Sequence, residues 1–123
     1  MMRMSDAQPQ PQPRFTIFVH LTALPAWLAL GRPERQRIIA DHVEPLLEKH
    51  SAVQVRWFDA EAWAAAPSDV LVATTDDLTA WSDLFEGLRD SPLWSVPYFR
   101  VELVLPTIED GFADYERRTG QRA

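Results

Sequence analysis

The order of the apolar segments is the feature of this chain that most constrains its fold. Four runs are strand-like, and three of them alternate apolar and polar residues with a period of two, which is typical of half-buried strands. Two longer stretches carry apolar residues at spacings of three and four, which is typical of amphipathic helices. The strand-like runs are residues 15–22, 53–58, 69–75 and 98–105, and the helix-like stretches follow Gly31 and Asp77. The elements therefore follow one another as strand, helix, strand, strand, helix, strand.

This order predicts one α+β domain. A strand, helix, strand connection between parallel strands is almost always right-handed, and both crossovers must fit the same sheet. The compact solution is the ferredoxin-like βαββαβ sandwich, whose four-stranded antiparallel sheet has the order 4-1-3-2 and carries both helices on one face. The first and third strands are then central.

Composition separates this domain from two tails. Residues 1–14 alternate Gln and Pro from Pro9 to Pro13, which predicts a disordered Gln/Pro-rich tail. A single domain is then expected over residues 15–118, with a C-terminal tail over 119–123. Because 46% of the 123 residues are hydrophobic, such a domain can form a core without a disulfide or a metal.

Two local signals modify the helical pattern. Pro45 interrupts the first helix, and an interior proline removes a backbone hydrogen bond, so we expect a kink or a loosened turn near Asp41 and His42. After the fourth strand, Thr107 and Asp110 form a weak capping box for a C-terminal helix that uses Ile108, Phe112 and Tyr115.

Charge and residue usage argue against several classes of function. The chain has no cysteine, which removes disulfides, thiolate zinc sites and iron–sulfur clusters. A net charge of -6 disfavours nucleic acid, and no apolar run approaches the length of a membrane span. No cofactor fingerprint occurs, and His42 has no second histidine at metal-binding spacing. We therefore expect no metal, cofactor, nucleic acid or membrane, and a cytoplasmic location.

Alternation along the strands divides their residues between two faces of the sheet. The face under the helices is predicted to hold Ile17, Val19, Leu21, Val53, Val55, Val70, Val72, Phe99, Val101 and Leu103. The opposite face, which we call the open face, is predicted to hold Thr16, Phe18, His20, Gln54, Arg56, Phe58, Leu71, Thr75, Tyr98, Arg100 and Glu102. This second set is too apolar for a freely solvated sheet and too polar for a second core.

Such a mixed face suits a partner sheet. In a two-layer domain with helices on one side, a second copy can stack on the other side by closed twofold symmetry, which predicts a homodimer with a cleft between the sheets or at their rims. The simpler interpretation is an open face that is merely hydrated, since single exposed apolar groups are common.

Candidate site residues lie on the predicted open face. His20 near the end of the first strand should neighbour Tyr98 and Arg100 near the start of the antiparallel fourth strand. His20 is the candidate catalytic base, and the candidate ligand-binding residues are Arg56, Tyr98, Arg100 and Glu102. Arg56 could equally pair with Glu102 or Asp69 across the sheet. A packed or interfacial histidine is the structural alternative for His20.

Three segments resemble a known family. They are FTIFVHLTALPAWLAL at residues 15–30, VRWFDAEAW from Val55, and LRDSPLWSVPYFRVELVLPTIEDGF from Leu88. They are similar to the darcynin family of small bacterial proteins, over about residues 15 to 116. This resemblance implies no catalytic residues, because the family has no established activity. The inferred topology also resembles dimeric α+β barrel proteins, which include cofactor-independent monooxygenases and haem-handling enzymes.

Three functional hypotheses follow. The first is a small cytoplasmic homodimer that binds a small anionic or aromatic molecule on its open face. The second is a cofactor-independent enzyme of the dimeric barrel type, with His20 as base and Arg100 or Arg56 holding an oxyanion. The third is a protein-interaction module that docks a partner near Trp63, one of the tryptophans in connections that could also line a pocket, together with Trp27 and Trp94.

Overall fold

The computed structural model describes residues 12–120, in which four strands and six α-helices follow one another. The strands are β1 (Phe15–Ala23), β2 (Gln54–Asp59), β3 (Asp69–Thr75) and β4 (Phe99–Ile108). The helices are α1 (Pro25–Leu28), α2 (Arg32–Ile38), α3 (Glu44–Lys49), α4 (Leu78–Asp90), α5 (Pro92–Ser95) and α6 (Gly111–Thr119). A π-helical segment, Ile39–Val43, joins α2 to α3.

The sheet confirms the predicted topology. Its strand order is β2-β3-β1-β4, and the three neighbouring pairs are antiparallel. Side chains from α4 enter the same core as those of central strand β1: the fully or almost fully buried members include Ile17, Val19, Leu21, Leu84 and Leu88. No helix within residues 12–120 is long and apolar enough to cross a bilayer.

The helix before β2 is loosened where the proline predicts it. Pro45 lies in the first turn of α3, and the π-helical segment that precedes it contains Asp41 and His42. The backbone amide of Glu44 donates to the carbonyl oxygen of Ile39, a bond one residue wider than in an α-helix. His42, near which the loosened turn is expected, is exposed.

The predicted orientation of β3 is wrong. Leu71 and Ala73 are buried under the helices, because they pair with Val19 and Ile17 of β1. Val70 and Val72 therefore lie on the open face, and the side chain of Thr75 lies on the buried side. Four consecutive apolar residues, 70–73, carry no alternation, so the sequence alone does not assign them to faces.

The predicted orientation of Leu103 is also wrong. The register between β1 and β4 shifts by one residue between His20 and Leu21, which pair with Leu103 and Val101. This bulge moves Leu103 to the open face, where it is 42% exposed, and brings Val104 against the core.

The C-terminal helix is capped differently from the sequence prediction. Thr107 lies within β4 and its hydroxyl donates to the carbonyl oxygen of Thr16, so it does not cap a helix. Asp110 caps α6 instead, accepting from the amide of Ala113.

The predicted tail over residues 1–14 lies mostly outside the described residues. Arg14, the last residue of that tail, contacts Asp114 of α6 at 3.3 Å.

Candidate functional site

A cavity of about 460 Å³ lies between the helices and one end of the sheet. At this end β1 and β2 finish and β3 and β4 begin, so residues from all four strands reach it. The lining residues are Ala23, Trp27, Leu28, Arg35, Ile39, Val43, Glu44, Leu47, Val55, Trp57, Asp59, Glu61, Asp69, Leu71, Leu88 and Phe99. The exposed acidic lining residues, Glu44, Asp59 and Glu61, mark the mouth of the cavity, and the buried Leu71 and Leu88 mark its floor. Its volume falls within the range of ordinary ligand pockets.

Aromatic rings form one wall of this cavity. The ring of Phe99, at the start of β4, lies between two tryptophans: its centroid is 5.0 Å from that of Trp27 and 5.7 Å from that of Trp57. Trp27 also packs edge-on against Tyr98 at 5.4 Å. Because each ring is braced by another, the wall is rigid and apolar, which suits a flat or branched apolar ligand.

A buried carboxylate, Asp69, lies within this aromatic wall. Asp69 is only 7% exposed, and its two oxygens accept separate hydrogen bonds. The indole nitrogen of Trp57 donates to one oxygen at 2.8 Å, and the hydroxyl of Ser68 donates to the other at 2.6 Å. Ser68 in turn accepts from the backbone amide of Ala23 at 2.8 Å. The carboxylate is therefore held in a fixed orientation from two sides.

A second carboxyl group faces Asp69. Asp59 is the last residue of β2, and the antiparallel register sets it directly opposite Asp69, the first residue of β3. The pKa of the Asp59 carboxyl is raised, mainly by its hydrogen bond with Asp69, then by burial and by the negative charges of Asp69 and Glu61. Ionisation of Asp59 is therefore opposed by the carboxyl group that it faces.

Arg35 lines the same cavity, yet its guanidinium group is engaged elsewhere. It donates to the carbonyl oxygens of Trp27 and Leu28, both at 3.2 Å, and lies 5.7 Å from the centre of the Trp27 ring. These bonds satisfy the end of the short helix α1, so Arg35 fixes the position of the Trp27 ring.

The site residues predicted from the sequence do not form one cluster on the open face. His20 is half-buried on the open face, where it pairs with Val70 and Leu103. Arg56 is also on this face, with its guanidinium 4.9 Å from the ring centre of Phe58, and pairs in register with Val72. The open face is therefore more apolar around His20 than the sequence predicts.

Arg100 and Glu102 are brought together. Arg100 forms an ion pair with Glu102 at 2.9 Å, and the hydroxyl of Thr22 donates to the same carboxylate at 2.7 Å. These bonds, that of Thr22 first, lower the pKa of Glu102. Tyr98 lies apart from this group, against Trp27. The expected cluster of His20, Tyr98 and Arg100 is thus divided between the open face and the cavity end of the sheet.

Sequence reasoning missed the paired carboxyl groups. From the sequence, Asp69 is predicted only as a possible partner for Arg56, although Asp59 and Asp69 flank the connection between two strands predicted to be antiparallel neighbours. The end of one such strand lies opposite the start of the next, so this flanking position was the available signal. The prediction that Trp27 lines a pocket agrees with its position, whereas Trp63 is 88% exposed.

Solved structures with the same fold come from proteins whose sequences are less than 20% identical to this chain. A putative chlorite dismutase superposes with a TM-score of 0.70 at 18% identity, covering 86% of this chain and 49% of that chain. A heme-binding protein from Thermus thermophilus gives a TM-score of 0.71 at 12% identity, covering 86% and 46%. This chain therefore spans about half the length of these structures, and the likeness is one of fold.

Sequence relatives are closer. A protein named Darcynin 1 from Acinetobacter baumannii is 39% identical over 89 residues, 72% of this chain and 99% of the relative. Darcynin from Chromobacterium violaceum is 42% identical over 79 residues, 64% of this chain and 100% of the relative. The family model described as Darcynin, domain of unknown function, matches residues 1–123. The chain is thus a member of the Darcynin family.

Proposed function

We propose that this protein binds a small organic molecule in the cavity between its helices and its sheet. The observation that carries this proposal is the combination of a braced aromatic wall with one oriented, buried carboxylate, Asp69. Ligand pockets have this composition: mostly apolar walls provide affinity, and a few fixed polar groups provide orientation. The ligand site that the sequence predicts on the open face is a different site, and it stays a prediction.

Haem does not fit this cavity. Haem iron in proteins is held by His, Cys, Met or Tyr, and the lining residues include none of these types. Asp59, Glu61 and Glu44 at the mouth would also repel the haem propionates. The heme-binding activity of one structural relative is therefore not carried over to this chain.

Cavity binding can be tested with a neutral fluorescent probe such as phenylnaphthylamine. Val55→Phe adds volume on the cavity wall, and we expect it to weaken probe binding about tenfold, since filling a pocket removes apolar contact area. Val96→Phe is the matched control, because Val96 is 51% exposed and lies outside the cavity lining. Probe binding that Val55→Phe leaves unchanged would contradict the proposal.

We also propose that the open face associates with a second copy. Four large apolar side chains on this face, Phe18, Phe58, Leu103 and Leu105, are 36%, 41%, 42% and 46% exposed. A twofold axis in the plane between two facing sheets would cover this set with the same set of the second copy. Sedimentation at micromolar concentration should therefore give a species larger than the 14.1 kDa chain. A single species of 14.1 kDa would contradict this second proposal.

A further inference from the structure

None of the acidic residues that line the cavity forms an ion pair with a basic side chain within residues 12–120. Within residues 12–120, the acidic partners in ion pairs are Glu102 and Asp114, and neither lines the cavity. Arg35 is the basic residue of the lining, and its guanidinium bonds to backbone carbonyl oxygens. Asp59 and Asp69 therefore face one another, and neither forms an ion pair with a basic side chain of the described residues.

Two carboxyl groups in direct cross-strand register are unfavourable when both are ionised. The repulsion can be relieved in two ways: the pair can share a proton, or a cation can bind between the two groups. Asp69 cannot turn away, because Trp57 and Ser68 hold both of its oxygens. Each carboxylate oxygen can accept a further hydrogen bond, so the pair is preorganised to accept from a donor with several N–H groups.

The surroundings of the pair select the kind of cation. No group of three or more His, Asp or Glu side chains in the described part of the chain is placed to hold a metal ion. Trp57 donates to Asp69, and the rings of Phe99 and Trp27 pack in series with it on the lining of the same cavity. Aromatic ring faces attract organic cations. An ammonium group attached to an apolar body satisfies both the carboxyl pair and the rings, whereas a hydrated inorganic ion satisfies only the first.

We propose that the cavity binds a molecule with a protonated amino group on an aromatic or branched apolar body, with the amine between the carboxyl groups of Asp59 and Asp69. The apolar body then lies along Trp27, Trp57 and Phe99, above the floor formed by Leu71 and Leu88. This inference rests on the proposed function, because it names the ligand class of the same cavity. It concerns a different site from the anionic or aromatic ligand predicted for the open face, which stays a prediction.

Titration calorimetry with three probes of similar shape tests the inference. Phenethylamine carries a positive charge at neutral pH, phenethyl alcohol is neutral, and phenylpropionate is negative. We expect the full chain to bind phenethylamine at least about tenfold more tightly than phenethyl alcohol, because hydrogen bonds to charged groups are the stronger ones. Phenylpropionate should bind most weakly.

Variants locate the effect at the carboxyl pair. Asp69→Asn should abolish the preference for the amine and leave the affinity for the alcohol unchanged. Asp59→Asn, at the mouth of the cavity, should reduce the preference and provides the same readout if Asp69→Asn fails to fold. Asp83→Asn removes an equal charge from the exposed side of α4 and should change nothing.

The outcomes separate the two levels of the proposal. Equal affinity for the amine and the alcohol, with binding still weakened by Val55→Phe, would overturn the amine assignment and leave the proposed function standing. No binding of any probe, together with fluorescence insensitive to Val55→Phe, would overturn both. An amine preference that survives Asp59→Asn and Asp69→Asn would place the amine elsewhere and overturn the inference.

Discussion

Asp59 and Asp69 are directly opposite in the β2–β3 ladder, on the side of the sheet that the helices cover. A like-charged pair at such a position opposes folding when both groups ionise. Its presence beside an apolar cavity is therefore easier to explain by ligand binding than by a contribution to stability. Enzymes and binding proteins commonly hold charged groups in arrangements of this kind, which become favourable once the ligand is present.

Asp59→Asn should change how stability depends on pH. The pKa of Asp59 is raised above its ordinary value of 3.8, first by the hydrogen bond with Asp69, so just above that pH the folded protein holds more protons than the unfolded chain. Stability should then fall as pH rises from 3.8 through the folded-state pKa. The Asn variant cannot titrate there, so its stability relative to the wild type should increase over the same window, as urea unfolding at several pH values would measure. A difference that is constant with pH would contradict this.

Asp114→Asn should show the opposite dependence. The hydrogen bond from Arg118, followed by that from Arg14, lowers the pKa of Asp114, so its ionised form stabilises the folded state above the ordinary value of 3.8. This contribution is lost as pH falls from 3.8 through the lowered pKa. The variant should therefore melt below the wild type at neutral pH and converge with it in acid. Thermal unfolding at both ends of this range is the measurement, and a gap that widens in acid would refute the assignment.

The topology could be predicted from the sequence because each strand except β3 shows clear alternation. Ile17, Val19 and Leu21 fix which side of β1 is buried, and the two crossovers then leave one compact strand order. The bulge that turns Leu103 outward has no such signal, because it depends on how β4 pairs with β1. The local sequence pattern determines the secondary-structure elements here, whereas the face on which β3 and Leu103 lie is determined by how the strands pair.

The cavity was harder to predict for a related reason. Its walls come from segments far apart in sequence, such as Trp27, Trp57 and Phe99, and their meeting depends on where each strand ends. His20 on the open face is of a residue type that suggests catalysis. Aspartate beside a connection usually serves as a turn or cap residue, so the sequence does not mark the paired carboxyl groups as a site.

Leu103→Arg should weaken self-association. Leu103 is 42% exposed in the single chain, so the substitution should change the stability of the monomer by no more than about 0.5 kcal/mol. A buried charge in a twofold interface would occur twice and should raise the dissociation constant by about 100-fold. Sedimentation across a concentration series measures this, with Val96→Arg as the exposed control outside the open face. An unchanged distribution of species would exclude this face as the interface.

Deleting residues 1–13 should leave the melting temperature unchanged within error, because the Gln and Pro residues of this segment offer little apolar surface to bury. Arg14→Ala in the full chain should lower it, since the Arg14 side chain pairs with Asp114 and its guanidinium lies 4.9 Å from the ring centre of Phe15. Differential scanning calorimetry of both proteins separates the two contributions. A melting temperature lowered by several degrees on deletion alone would contradict this, because it would mean that residues 1–13 make stabilising contacts.

Trp57→Phe should separate the two roles of this residue, because phenylalanine keeps an aromatic ring in the cavity wall and removes the donor to Asp69. A hydrogen bond to a charged group contributes about 1.5 to 3 kcal/mol, so we expect a loss of this order in the free energy of unfolding. Freed from Trp57, Asp69 is less well oriented, and the affinity for phenethylamine should fall while that for phenethyl alcohol is kept. Trp27→Phe is the matched control, since it trims a ring on the same cavity without removing a bond to Asp69. If both variants lose amine and alcohol binding in equal proportion, the tryptophan acts only as a wall and the carboxylate does not depend on it.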